Sequence, residues 1–316
     1  MSIVRSLQGF SFISALAMLA GCGNGASGGA ASFPGTAPVT RTSGSGATRA
    51  SRGLLYVADY LNGIVLIYHE SGKNRAPIAQ ITAGISYPNS LAVDASGNLY
   101  VVNDPQNVQV FAPGTDTPLE TLQPDVSATS VTVGADGTVY VGTDCSACTQ
   151  KIDVFAPGAL APSYSISDPN IAIVFGMALD AANNLYVVHS NQSEASRISM
   201  FPPGSHGPGT DLGLKFSGPD GIAFDAAGNM VIVDALANEV YVYAPKSKTP
   251  KFEFSTPPRP WGLAFNAAQT KLYINQNRET PQVDVFSYPR GKLVETIPLV
   301  PGGDASGVAI SPAAAK

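Results

Sequence analysis

A motif of two short apolar segments recurs six times along this chain. The first segment ends in Asp or Asn in most copies, and after a short turn the second segment reads Leu-Tyr-Val-Val or a close relative. The first segments are Leu91–Asp94, Val131–Gly134, Met177–Asp180, Ile222–Asp225, Leu263–Asn266 and Val308–Ser311. The second segments are Leu55–Asp59, Leu99–Asn103, Val139–Thr143, Leu185–His189, Met230–Asp234 and Leu272–Gln276. Leu54 to Ser311 spans 258 residues, which is 43 for each of six copies, and such a period indicates an array of one repeated unit.

The segments are predicted to be β-strands. They are short, rich in β-branched and aromatic residues, and bounded by turn formers. In the copy that begins at Leu91, a third apolar run covers Val108–Phe111 and a weaker fourth covers Leu119–Leu122. Four strands per copy and this repeat length predict an all-β fold, a six-bladed β-propeller of four-stranded blades.

The two ends of the repeat array are predicted to meet in one blade. Leu55–Asp59 has no first segment before it, and Val308–Ser311 has no second segment after it. Pairing these two strands would close the ring and leave no unpaired sheet edge at the closure. We therefore expect the C-terminal strand to complete blade one.

Two kinds of turn recur with the strands. Asp94–Asn98 and its counterparts join the first and second strands, with Gly97, Gly137, Gly228 or Asn183 at a position that suits positive φ. Ala-Pro-Gly and related sequences follow the third strand and predict type II turns. The sixth copy has Asn266–Lys271, which is one residue longer and lacks Gly, so we expect a distorted hairpin there.

Two of these repeats resemble NHL repeats. They run from Pro88 to Asn103 and from Gly221 to Asp234, and the Val-Phe-Ala-Pro-Gly turns resemble those of bacterial exported NHL-type propellers. The resemblance covers Leu54 to Ser311. It agrees with the propeller fold and leaves the function open, because this type of propeller hosts lactonases, lyases and binding modules.

The N-terminal region predicts export and a membrane anchor. Arg5 and an apolar stretch from about Gly9 to Ala20 have the layout of a signal peptide, which we assign to residues 1–21. Leu19-Ala20-Gly21-Cys22 resembles the lipobox of bacterial lipoproteins, which implies lipidation of Cys22. Residues 22–53 are rich in Gly, Ser, Ala and Thr and predict a flexible tether. Residues 54–316 would form the propeller, held in the cell envelope, with the outer membrane favoured in a Gram-negative cell.

Composition narrows the partners and the redox chemistry. Charged residues make up 13% of the chain, the formal net charge is −5, and no basic cluster is present, so we expect no nucleic-acid binding. We expect a monomer. In an exported protein, Cys145 and Cys148 are predicted to form a disulfide within one loop. A zinc site would need two more ligands, and a thioredoxin-like role would need a helix start beside the pair.

The family resemblance also implies where a ligand would bind. In such propellers, the residue just before each first strand and the residue that ends each second strand lie at one mouth of the central channel. The first set is Ser306, Asn89, Thr129, Phe175, Asp220 and Trp261; the second set is Asp59, Asn103, Thr143, His189, Asp234 and Gln276. This mixture suits a small polar ligand. The predicted ligand-binding residues are Asn89, Asn103, Phe175, His189, Asp220, Asp234 and Trp261.

Two classes of function stay open. The favoured one is a binding module for a small polar molecule or a protein partner, with no catalytic residues, cofactor or metal assigned. The alternative is a metal-dependent lactonase, because the segments around Asn89 and Asp220 resemble the metal-binding segments of gluconolactonase-like (regucalcin-like) enzymes. A divalent cation such as calcium would take these oxygen ligands. Ser306, however, stands where the resemblance requires Glu, and Phe175 and Trp261 stand at two further positions that cannot bind a metal.

Overall fold

A computed structural model describes residues 53–311 of the 316-residue chain except 73–74, 105–106, 145–149, 192–195, 278–279 and 301. Six antiparallel four-stranded sheets make up this part of the chain. Blade 1 contains β24 (Ala305–Ile310), β1 (Leu54–Asp59), β2 (Ile64–His69) and β3 (Ala79–Ile81). Blade 2 contains β4 (Pro88–Val93), β5 (Leu99–Asn103), β6 (Asn107–Phe111) and β7 (Pro118–Leu122). Blade 3 contains β8 (Ser127–Val133), β9 (Val139–Asp144), β10 (Lys151–Phe155) and β11 (Tyr164–Ser167).

The remaining three blades repeat this order. Blade 4 contains β12 (Ile173–Leu179), β13 (Leu185–Ser190), β14 (Ser196–Phe201) and β15 (Thr210–Asp211). Blade 5 contains β16 (Pro219–Phe224), β17 (Met230–Asp234), β18 (Glu239–Tyr243) and β19 (Phe252–Ser255). Blade 6 contains β20 (Pro260–Phe265), β21 (Lys271–Gln276), β22 (Gln282–Ser287) and β23 (Lys292–Pro298).

The six inner strands, β24, β4, β8, β12, β16 and β20, form a closed ring. Each inner strand contacts the inner strand of the next blade, and β20 contacts β24. β24 also pairs with β1, with Val308 opposite Val57. These pairings confirm the predicted six-bladed propeller and its closure by the C-terminal strand.

The core lies between neighbouring blades. The second and third strands of each blade are mostly apolar on both faces, because a neighbouring blade covers each face. β17, for example, is buried at all five of its positions. Between blades 6 and 1, Tyr273 and Val285 pack in one cluster with Leu55 and Leu66.

The recurring turns have the expected conformations. At the turn after β4, the Gly97 amide donates to the Asp94 carbonyl, and Gly97 has a φ of 85°. After β6, the Thr115 amide donates to the Ala112 carbonyl and Gly114 has a φ of 70°, as a type II turn requires. In the longer turn of blade 6, Gln269 takes the positive φ at 49°, and the Asn266 side chain accepts the amides of Thr270 and Lys271.

Each inner strand begins three or four residues earlier than the sequence indicated. The reason is a β-bulge near the start of every inner strand, where the pairing register with the second strand shifts. A bulge adds one residue to one strand only, so it interrupts the two-residue alternation by which a strand is recognised. The inner-strand residues expected just before the strands therefore lie inside them.

Several predicted features fall outside the described residues. They are the signal peptide of residues 1–21, the lipidation site Cys22, the tether up to residue 52, and the disulfide partners Cys145 and Cys148. Within the described ranges, no helix is long and apolar enough to cross a membrane.

Candidate functional site

The six bulges place the first set of predicted mouth residues in equivalent positions around the axis. In each inner strand one residue of this set lies at the register shift: Ser306, Asn89, Thr129, Phe175, Asp220 and Trp261. We call the propeller face at this end the mouth face, and the opposite face, which carries the Asp94–Asn98 turn and its counterparts, the turn face. The residue after each member of the set is Gly or Ser. That recurrence was the signal in the sequence that could have revealed the bulges.

The small residues are required because neighbouring bulges touch. A methyl group added to Gly221 would lie 2.7 Å from the Trp261 carbonyl oxygen, and one added to Gly307 would lie 3.1 Å from the Asn89 carbonyl oxygen. A methyl group added to Gly176 would overlap the Asp220 carbonyl oxygen. Blades 4, 5 and 6 therefore meet backbone to backbone at the mouth, which brings Phe175, Asp220 and Trp261 to consecutive positions.

Two hydroxyl groups of the set bridge neighbouring blades. The Ser306 hydroxyl of blade 1 donates to the Pro88 carbonyl of blade 2. The Thr129 hydroxyl of blade 3 lies 3.3 Å from the Val174 carbonyl of blade 4 and 3.1 Å from the Gly142 carbonyl of its own blade. These hydroxyl groups serve the joints between blades, which leaves the other members of the set available to a ligand.

Phe175, Asp220 and Trp261 form what we call the aromatic–acid arc. Phe175 is 37% exposed. Asp220 and Trp261 are half-buried. Burial, the largest cause, raises the pKa of Asp220 to about 7; a hydrogen bond from the Trp261 side chain lowers it, and the charge of Asp234 raises it. A carboxyl group whose pKa lies near neutral pH, on a strand between those that carry Phe175 and Trp261, is typical of a functional site.

The second set of predicted mouth residues is placed differently from our expectation. Asp59, Asn103, Thr143, His189, Asp234 and Gln276 are all buried, the most exposed being Asn103 at 4%. Their position at the end of each second strand is as predicted, but the side chains turn into the protein and do not line an open surface. The exposed part of the mouth is therefore the first set.

Most of the second set binds nearby backbone. The Asp234 carboxylate accepts the amides of Ser217, Gly218 and Ala237 at 2.7–3.0 Å. The Asn103 amide group accepts from Ser86 and donates to the Gly84 carbonyl. These bonds fix the loops that lead into β16 and β4, so Asp234 and Asn103 support the site from behind.

His189 is also committed to internal contacts. Its Nδ1 lies 2.9 Å from the Ser190 carbonyl oxygen, and its Nε2 lies 2.9 Å from the Ser199 hydroxyl oxygen. Burial lowers the pKa of His189, which favours the neutral ring at neutral pH. The predicted role of His189 in ligand binding stays a prediction, because its side chain is buried and bonded inside the protein.

A second feature of the mouth face is its exposed apolar rim. Large apolar side chains that are exposed to solvent cluster on the loops and strand starts of this face: Leu61, Tyr87, Ile173, Phe175, Leu236 and Val300. The Tyr87 ring also packs against the Tyr60 ring, with 5.2 Å between the ring centroids. Exposed apolar residues gathered on one face are typical of interaction sites.

Metal ligands are sparse at the mouth. Among the described residues, no group of three or more His, Cys, Asp or Glu side chains could hold a metal ion. Asn89 and Asp220, the two ligands considered from the sequence, lie on blades 2 and 5, which are three blades apart in the ring.

Comparison with solved structures shows the fold and no family. No protein-family model matches the chain, and no curated protein matches it. A protein of unknown function from Bacteroides caccae is similar with a TM-score of 0.65 at 15% identity, covering 83% of this chain and 99% of that one.

Two other solved structures are similar. A chain in a nidogen/laminin complex aligns with a TM-score of 0.64 at 17% identity, again over 83% of this chain and 99% of that one. A functionally unknown protein from Desulfotomaculum acetoxidans aligns with a TM-score of 0.54 at 15% identity, over 77% and 79% of the two chains. At these identities the likeness establishes a shared propeller fold.

Proposed function

We propose that this chain is an interaction module of the cell envelope that binds a small ligand or a partner protein at its mouth face. The observation that carries the proposal is the aromatic–acid arc. Phe175, Asp220 and Trp261 stand side by side at the mouth, whereas Ser306 and Thr129 of the same ring are used in the joints between blades. Aromatic faces offer contact area, and a carboxylate fixes the orientation of what binds.

The apolar rim supports the same face as the site of interaction. Leu236 is 68% exposed and Leu61 is 60% exposed, and each lies in the short loop between the second and third strands of its blade. Covering solvated apolar side chains with a partner is favourable, because it removes apolar surface from water. A chain in a nidogen/laminin complex shares the propeller fold, so this fold is compatible with an interaction role.

The location in the envelope rests on the N-terminal sequence. We propose that Cys22 is lipidated and that the residues after it tether the propeller to a membrane. In a Cys22→Ser variant, the protein should move from the membrane fraction to the soluble fraction while its thermal melting temperature stays unchanged. A wild-type protein found in the soluble fraction, with a mature N-terminus away from Cys22, would contradict the anchor.

The binding proposal is tested through Trp261. It is the only tryptophan in the chain, so its emission reports on the mouth alone. Sugars, amino acids, amines and sugar lactones would be titrated against the isolated propeller. We expect at least one class to shift the emission with saturation, and we expect Phe175→Ala and Asp220→Ala to weaken that binding.

A variant on the turn face provides the control. Asp116 is an exposed carboxylate in the loop after β6, so Asp116→Ala should leave ligand binding unchanged. If no probe shifts the emission, or if the arc variants bind as the wild-type protein does, the proposed site is wrong. Stoichiometric divalent metal together with metal-dependent hydrolysis of a sugar lactone, lost in Asp220→Ala, would replace the binding module by the lactonase.

A further inference from the structure

The carboxylate at the centre of the arc has no cationic partner among the ion pairs of the described residues. The carboxylates in those pairs belong to other positions: Glu295, Asp125, Asp153, Asp211 and Glu70. Asp220 is half-buried, and removing a carboxylate from water without a partner charge is unfavourable. An incoming positive charge would therefore interact favourably with Asp220.

Asp220 also differs from the buried carboxylates behind it. Asp234 accepts three backbone amides, and Asp59 accepts the amides of Asn62 and Asp304. Those bonds hold the carboxylates in place and use their acceptor capacity. Asp220 has the Trp261 side chain as its donor and keeps lone pairs for a ligand.

We infer that the arc of Phe175, Asp220 and Trp261 binds an organic cation, as a protonated amine or quaternary ammonium group. The inference rests on the proposed binding function and names the chemical class that the mouth selects. The cation can belong to a small molecule or to a side chain of a partner protein, since both present the same group.

The chemistry of the three side chains carries this choice. A carboxylate attracts the positive charge, and aromatic rings bind cations through their negatively charged faces, with Trp the strongest of them. A divalent metal prefers several oxygen ligands, which Phe175 and Trp261 do not supply. A neutral polyol would contact the rings and donate a hydrogen bond to Asp220, but it would lack the attraction between charges. An anion would be repelled by Asp220.

The groups that face Asp220 determine how binding depends on pH. β17 presents Asp234, whose charge acts on Asp220, and β20 presents Trp261. β12 presents Phe175 and Gly176, which do not titrate, and His189 on β13 has a lowered pKa. Asp220 itself, with a pKa of about 7, is thus the group that titrates near neutral pH. Because the ionised form binds the cation, affinity should be about tenfold lower at pH 6 than at pH 8.

The experiment uses pairs of probes that share a shape and differ in charge. Choline is compared with 3,3-dimethylbutan-1-ol, and Nα-acetyl-lysine amide is compared with Nα,Nε-diacetyl-lysine amide. Binding is followed by Trp261 emission and, independently, by calorimetry at pH 6 and pH 8. We expect the cationic member of a pair to bind at least about tenfold more tightly than its neutral counterpart.

The variants separate charge from shape. Asp220→Asn keeps the size of the side chain and should remove the preference for the cation and the pH dependence together. Phe175→Leu should lower the affinity for the cationic probe and leave the pH dependence, which comes from the carboxylate, unchanged. Asp116→Asn on the turn face should change neither the affinity nor its pH dependence.

Each outcome has one meaning. Preference for choline assigns a small quaternary ligand, and preference for the lysine probe assigns a side chain of a partner. If the neutral member of each pair binds equally well, or if Asp220→Asn binds the cation as tightly as the wild-type protein does, the inference is wrong. If sugars shift the Trp261 emission and no cation does, the inference fails while the proposed binding function stands. Failure of every probe overturns both.

Discussion

At the scale of single residues, Asp225 fixes both a turn and a joint between blades. Its carboxylate accepts the amides of Ala227 and Asn229 and the Asn229 side chain, all at 2.7–3.0 Å. It also accepts the hydroxyl of Tyr288, which belongs to blade 6, at 2.6 Å. Asp180 makes the same turn contacts in blade 4, and among the described residues no tyrosine of another blade donates to it. Comparing Asp225 with Asp180 therefore separates the contribution of the turn from that of the contact between blades.

We predict that Asp225→Ala lowers the free energy of unfolding by more than Asp180→Ala does. The difference should be about 1.5–3 kcal/mol, the value of a hydrogen bond to a charged group. A double-mutant cycle with Tyr288→Phe, measured by denaturant unfolding, should recover that difference as the coupling energy. A cycle that gives no coupling would show that the joint contributes nothing.

The pH dependence of this contribution follows from the pKa of Asp225. Burial acts to raise that pKa, but the hydrogen bonds from Asn229, Tyr288 and the turn amides outweigh it, so the pKa is lowered. A lowered pKa in the folded state stabilises the protein above the unfolded value of about 3.9. That stability is lost as the pH falls through the folded pKa, so the coupling to Tyr288 should fade in acid.

Asp220 behaves in the opposite way. Its pKa is raised to about 7, so between about pH 4 and pH 7 the folded protein binds more protons than the unfolded chain. The free energy of unfolding must then decrease as the pH rises through this window. We predict that Asp220→Asn stabilises the propeller at pH 8 relative to pH 4, by about 1–2 kcal/mol after allowance for partial exposure.

Melting curves of Asp220→Asn and the wild-type protein between pH 4 and pH 8 test this prediction. Asp116→Asn, at an exposed position on the turn face, should show no such divergence. Parallel curves for Asp220→Asn and the wild-type protein would mean that Asp220 has an ordinary pKa.

The burial of the second set of mouth residues shows what a sequence conveys poorly at this scale. A polar residue at the end of an apolar strand looks exposed, yet Asp234 turns inward because the loop before β16 offers it free amides. Gln276, the equivalent residue in blade 6, is fully buried, and neither polar atom of its side chain has a hydrogen-bond partner among the residues that the structure describes. The equivalent loop carries Pro257 and Pro258, and proline has no amide hydrogen to donate.

At the scale of the elements, the bulges control how closely the blades approach one another. Gly176 lies directly against the Asp220 carbonyl of the next blade, so a side chain there must move one of two inner strands. We predict that Gly176→Ala lowers the free energy of unfolding by about 1–3 kcal/mol, in the range of other overpacked core sites. It should also shift the Trp261 emission, because the displaced strand carries Asp220.

Gly207 provides the matched control for this substitution. It lies in the loop before β15, and an added methyl group would meet nothing within 4 Å. Gly207→Ala should therefore melt close to the wild-type temperature. Equal melting temperatures for Gly176→Ala and Gly207→Ala would show that the contact between the bulges is not tight.

The sequence predicted the second strands better than the first. The bounds of β5 and β17 are those expected, because Leu99–Asn103 and Met230–Asp234 are apolar runs with turn residues at both ends. The starts of the inner strands were not predicted, because a bulge interrupts the alternation of apolar and polar residues and places polar residues such as Asn89 within the strand. The Gly or Ser after each bulged residue carries the missing information only when all six copies are aligned with one another.

At the scale of the whole molecule, stability depends on the strand that closes the ring. β24 pairs with β1 in blade 1 and contacts β4 of blade 2 and β20 of blade 6, so it connects three blades. Removing Ala305–Lys316 should expose the inner edge of β1 and the apolar faces beside it. We predict an unfolded or aggregated product, measured by size-exclusion chromatography and melting.

A shorter truncation separates closure from the tail itself. A chain that stops after Ser311 keeps β24 and the hydrogen bond from the Leu54 amide to the Ser311 hydroxyl. This chain should remain soluble and melt as the full-length protein does. A soluble product of the longer deletion, with an unchanged melting temperature, would contradict closure by β24.

The number of blades and the closure were predictable because both follow from counting copies. The identity of what binds was not, because the mouth is assembled from six distant segments, and the two sets expected there turned out to face different surroundings. Only the arrangement of the bulges distinguishes Asp220, which is partly exposed, from Asp234, which is buried and accepts backbone amides.

The way the chain enters the propeller has a mechanical consequence. Leu54 lies at the turn face, and β1 runs from it through the middle of blade 1, hydrogen-bonded to β24 on one side and to β2 on the other. A pull on the N-terminal segment acts along β1, whereas its ladder hydrogen bonds lie across the strand. Such a load strains both ladders together in shear and does not open them one bond at a time. A propeller held by a tether on Cys22 would therefore resist drag on whatever it has bound.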